Sequence, residues 1–194
     1  MSRPIRNESP MEFFKQRVER ALANQHVDSS DDTTFYLIRL LDDFVRPHRL
    51  FSRAGVEPGQ PLAEIFLDAV ASGGQRRFEL LKLSGDLALF VCGFLSESLN
   101  RSLAGSGYYV RLGGQAYGVL GSEHRLLRDL FGELAEKFAA FADVLCEVSE
   151  ECALTDDRNL LRLYERWRQT GSQRSAEMLR ERGILVVPSS DAVH

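Results

Sequence analysis

The chain has 194 residues, 44% hydrophobic and 27% charged, the balance of a globular protein long enough to bury a core of its own. A net charge of −4 offers no bulk attraction to nucleic acid or an anionic membrane, and no run reaches the ~18 apolar residues of a membrane span. Cys92, Cys146 and Cys152 are odd in number and lack CxxC spacing, and the opening MSRPIRNESPMEFF has no signal-peptide core; the expected setting is a reducing cytoplasm. Only Lys15, Lys82 and Lys137 of the 24 cationic residues are lysines, a bias that suits bidentate contacts but that codon usage would equally produce.

Residues 1–10 are polar and read as a disordered N-terminus. Over residues 11–23, Phe14, Val18 and Leu22 repeat on one face of an amphipathic helix. Residues 28–34 form a polar linker of cap-forming types, and residues 35–45 a helix that is apolar almost all round. Pro47 ends it, residues 55–61 are a loop, and Pro61 opens a helix over 62–71 with Leu62, Ile65, Phe66, Ala69 and Val70 on one side. Residues 75–83 read as a further helix, broken or kinked at Ser84-Gly85. Ser84, Gly85 and Asp86 then serve as the N-terminal residues of LALFVCGFL (87–95). Its length fits a buried strand or a buried helix, and helix is preferred because no partner strands appear.

Gly105-Ser106-Gly107 reads as a turn into the helix YYVRLGGQAYGVL. Each interior glycine costs roughly 1 kcal/mol relative to alanine, so this helix needs a close neighbour. Tyr109, Gly113, Ala116 and Leu120 would present one small-residue face, and Gly114 and Gly118 an adjacent one. Next, Leu127, Phe131, Leu134, Phe138, Phe141, Leu145, Val148 and Cys152 alternate gaps of four and three. That seam predicts one long helix over about 122–152, roughly 45 Å in length, serving as a bundle spine or a dimer interface. Two shorter helices begin at Asp156 and Ser172. The prediction is an all-α, single-domain helical bundle of about seven or eight helices over 11–183, with a C-terminal tail at 184–194.

The stretch GDLALFVCGFLSESLNRSLAGSGYYVRLGGQAYGVL (85–120), then EVSE at 147–150, LYERW at 163–167 and TGS at 170–172, resembles a family of uncharacterised bacterial all-helical proteins. The resemblance spans about 35–183 and implies a bacterial cytosolic origin, with no activity, cofactor or catalytic residue attached. The chain departs from the family's GFFPE-like stretch in reading Gly93-Phe94-Leu95-Ser96-Glu97.

Chemical templates fit poorly. His26, His48, His124 and His194 are scattered without HExxH or ExxH spacing, so neither a metal nor another cofactor is predicted. There is no GxSxG, Cys92 sits in an apolar run, and Asp42-Asp43 and Asp156-Asp157 are sequence neighbours that point apart. Gly105 to Gly107 with Arg111 lacks the preceding strand and the lysine of a phosphate loop. Arg158, Arg162 and Arg166 share a helical face beside Tyr164 and Trp167, but Asp156, Asp157 and Glu165 dilute their field, so nucleic acid is not an expected partner. The leading reading is a non-enzymatic interaction or regulatory module that forms a homodimer through the long or the glycine-rich helix and can take a protein partner. The alternative is a binder of a small apolar molecule between segments 86–97 and 107–121. Phe90, Phe94, Tyr108, Tyr109 and Tyr117 would form its walls, and Asp86, Glu97 and Arg111 its polar anchors. The same aromatic spacing also reads as plain core.

Overall fold

The computed structural model describes residues 9–45, 47–57, 59–95 and 105–154, and among these every regular element is helical. In chain order they are α1 (Pro10–Asn24), α2 (Asp31–Val45), α3 (Pro47–Ala54), α4 (Leu62–Ala71), α5 (Gly74–Gly93), α6 (Gly105–Glu123), a 3₁₀ turn (Arg125–Leu127), α7 (Arg128–Glu136) and α8 (Phe138–Leu154). The all-α class is as expected. The N-terminal residues 1–8, the helices expected from Asp156 onward, the arginine stripe, the tail and Glu97 lie outside the described residues.

α1 follows its sequence signals closely. Ser9 and Glu12 form a reciprocal capping box, Pro10 stands at the first turn where its missing N–H costs nothing, and Phe14, Val18, Ala21 and Leu22 are buried. α2 begins inside the expected linker because the Ser30 hydroxyl accepts the Thr33 N–H at 3.2 Å, while Asp31 and Asp32 complement the positive end of the helix. Pro47 ends α2, as expected, but it also opens α3, an element absent from the sequence reading. In a first turn the ring is pre-set for helix, so the residue that stops one helix can start the next.

Ser84-Gly85 does not break or kink the chain into two helices. α5 runs through it, and Ser84 Oγ donates to the Leu80 carbonyl at 2.8 Å, so its polar group is satisfied within the helix. Gly85 is required by packing: a Cβ there would lie 2.4 Å from Cε1 of Tyr117 on α6. Further along, a Cβ on Gly113 would fall 2.6 Å from Ala88 Cβ and 2.4 Å from Cζ of Phe138. The pairs Gly85–Tyr117 and Ala88–Gly113 run in opposite directions, which makes α5 and α6 antiparallel. The expected turn at Gly105 to Gly107 is instead the start of α6.

The seam is buried from Phe131 to Cys152 and partly buried at Leu127, yet the predicted helix over about 122–152 is not one helix. Ser122 and Glu123 finish α6, the chain turns at His124 through extended backbone, and Lys137 (φ −99°, ψ 19°) separates α7 from α8. A heptad records that a face is buried and not which partner buries it. α7 folds back along α6, while α8 packs on α5 and α1. Phe131, Leu134, Phe138, Phe141, Leu145 and Val148 are thus all enclosed by the same chain, so the seam expected to hold a dimer faces inward. The Gly113, Ala116 and Leu120 face of α6 is internal as well.

A polar clamp fixes the α1–α2 connection to this bend. Glu133 accepts from Thr33 Oγ1 (2.6 Å), Ser30 Oγ (2.7 Å) and Lys137 Nζ (3.0 Å), and Lys137 also reaches the Asp28 carbonyl at 2.8 Å. Partial burial would raise the Glu133 carboxyl, but those donors outweigh it and hold it down to about 2. Because the folded value is depressed, Glu133 contributes stability that is complete above its usual 4.5 and is lost as pH falls toward 2. Urea titrations of E133Q should show a loss of about 2 kcal/mol at pH 7 and a flatter decline below pH ~4.5 than the parent. Parallel curves for the two proteins across that window would refute the clamp.

Candidate functional site

Asp86 lies in the middle of α5 with 2% of its surface exposed. An ionised carboxylate there is costly unless every lone pair has a partner. Its Oδ1 accepts from Tyr36 Oη of α2 at 2.5 Å and from Tyr117 Oη of α6 at 2.8 Å. Its Oδ2 accepts from Lys82 Nζ, one turn earlier on α5, at 2.5 Å. Lys82 keeps 29% of its side chain exposed, and its ammonium stands 5.1 Å from the Tyr36 ring centroid. The two tyrosine rings meet edge-on at 6.2 Å, and Tyr117 stacks on Phe131 of α7 at 5.8 Å. Burial, reinforced by the Asp86 charge, pushes both phenols well above their usual range. They remain neutral donors, and the carboxylate remains their acceptor. The cluster joins α2, α5 and α6 at one point, with its charge balanced by a lysine that leads to solvent.

Of the residues expected to form a ligand site, the structure brings Asp86 and Tyr117 together. Phe90 stacks on Phe44 of α2 at 3.9 Å and on Phe94 at 5.3 Å, a column along the C-terminal half of α5. Tyr108 and Tyr109 meet edge-on at 5.0 Å and are half-buried. Desolvation raises the Tyr108 phenol, the Tyr109 ring adds to the rise, and a hydrogen bond with the Ala63 backbone of α4 opposes it. Arg111 is exposed. α5 and α6 are in van der Waals contact at the Gly85–Tyr117 and Ala88–Gly113 levels, so an apolar ligand between them would lie past Ala88, beside Phe90 and Phe94. Cys92 is a core residue whose thiol burial pushes up to about 11.

Sequence reasoning missed Tyr36 and Lys82. Lys82 and Asp86 have the i, i+4 spacing of a helical ion pair, a signal hidden by reading a break between them. Tyr36 carried no local signal: it lies inside a run read as apolar all round, and its partner is 50 residues away.

No family model, curated protein or solved structure matches this chain. Among the described residues no group of histidine, cysteine and acidic side chains is placed to hold a metal ion, and no helix is long and apolar enough to cross a membrane.

A second feature lies on the outside. α4 buries Ile65 and Ala69 completely but turns Leu67 (64% exposed) and Val70 (55%) outward; Val70, expected on the inner side, is on the outer one. These two residues are three apart, so they form one ridge, flanked by the exposed acids Glu64 and Asp68. Arg77 at the start of α5 holds the helix in place. Its Nη1 donates to the last carbonyls of α4, Ala69 (2.9 Å) and Val70 (3.3 Å), and its Nε and Nη2 grip Glu123 at the end of α6 at 3.0 and 2.9 Å. The ridge therefore sits on a fixed element.

Proposed function

We propose that this chain is a bacterial cytosolic, non-enzymatic interaction module whose contact surface is the outer ridge of α4 and whose partner is a second copy of itself. The observation that carries this reading is the exposure of Leu67 and Val70 on a helix tied down by Arg77. Fully burying a leucine or valine side chain is worth about 1.5–3 kcal/mol relative to leaving it in water, and a two-fold contact buries each twice. Charge favours an antiparallel crossing. Glu64 and Asp68 lie on the ridge, and the exposed Arg76 follows at the start of α5, just past the C-terminal end of α4. Laid antiparallel, the Glu64 end of one ridge faces the Arg76 end of the other. A ten-residue helix is only about 15 Å long, and one ridge of that length covers less than the ~800 Å² per partner of a standard interface, so the association is weak and concentration-dependent.

Light scattering on a gel-filtered sample tests this directly. The mass should climb above 21.9 kDa as concentration rises, and L67D/V70D should return it to 21.9 kDa without lowering the melting temperature, because both side chains are exposed in the monomer. A mass that stays at 21.9 kDa up to about 200 μM overturns self-association.

The Phe44–Phe90–Phe94 column, half-buried at Phe44 and Phe90 and buried at Phe94, supports the apolar-ligand alternative. A flat aromatic acid that raises the melting temperature of the parent and leaves F90A unmoved would favour it.

A further inference from the structure

We draw no further inference here: the strongest candidate, the buried Lys82–Asp86–Tyr36–Tyr117 cluster where α2, α5 and α6 meet, belongs to the site already described, and its donors and acceptors are engaged with one another.

Discussion

Asp86→Ala is expected to destabilise the protein by about 3–5 kcal/mol, the usual consequence of removing one partner from a buried, charged network. The substitution strips the acceptor from two buried phenols and the counter-charge from Lys82. Each buried donor left unsatisfied costs about 1–3 kcal/mol. For a chain of this length that is a fall in melting temperature of about 6–20 °C. Asp86→Asn keeps one oxygen for the tyrosines but loses the charge and the acceptor of Lys82, so it should fall between parent and alanine variant. Tyr117→Phe retains the stack on Phe131 and loses one hydrogen bond, about 1 kcal/mol. The triple change D86L/Y36F/Y117F removes the carboxylate and both phenols together and leaves only Lys82, which is 29% exposed and can turn to solvent, so it should recover most of the loss. Denaturant unfolding of the set checks the ordering. A D86A variant within about 0.5 kcal/mol of the parent would show that the carboxylate does not join the helices.

The glycines of α5 and α6 should respond to alanine with opposite signs, although every one of them lies in a helix. Where the glycine has ordinary helical backbone, which excludes Gly74 (φ 57°), such a substitution gains about 1 kcal/mol of helix propensity. At Gly118 the nearest foreign atom to a new Cβ is Ala135 Cβ at 3.9 Å, an ordinary contact, so the gain should survive. At Gly113 the new methyl would meet the enclosed Phe138 ring and Ala88, and at Gly93 it would meet Leu145 Cβ at 2.5 Å and the Ala142 carbonyl at 2.7 Å. A backbone oxygen cannot rotate aside, so G93A must push α8 away from α5. Overpacking of this kind costs about 1–3 kcal/mol and exceeds the propensity gain. The expected order of stability is G118A, parent, G113A, G93A, read from denaturation midpoints. If G113A and G118A shift together, the glycines reflect composition rather than helix spacing.

The same contrast explains how much of the fold was legible. Local chemistry is complete in α1, where the cap, the proline and the apolar spacing all lie within one segment and need no outside information. The requirement for close approach at the glycine-rich helix was also legible, since interior glycines are unfavourable without it. Elsewhere local signals pointed the wrong way. Ser84-Gly85 has the composition of a break, yet the glycine is there to admit the Tyr117 ring from 32 positions downstream. Glu133 to Phe141 has no proline or glycine to stop a helix, yet the chain bends at Lys137 because α7 and α8 pack on different neighbours.

Sequence alone indicates the helical class and most of the apolar face that leaves water, because helix propensity and apolar spacing act between neighbours within a few turns. That suffices for the all-α class and for the burial of the seam from Phe131 to Cys152. What surrounds Asp86 is decided only by tertiary structure. Its partners sit on three helices and come from up to 50 residues away, and no local rule links a tyrosine in α2 to a carboxylate in α5. The outward ridge of α4 is of the same kind. Val70 reads as an inner-face residue in sequence, and only the packing of α4 against α5 leaves it in solvent beside Leu67.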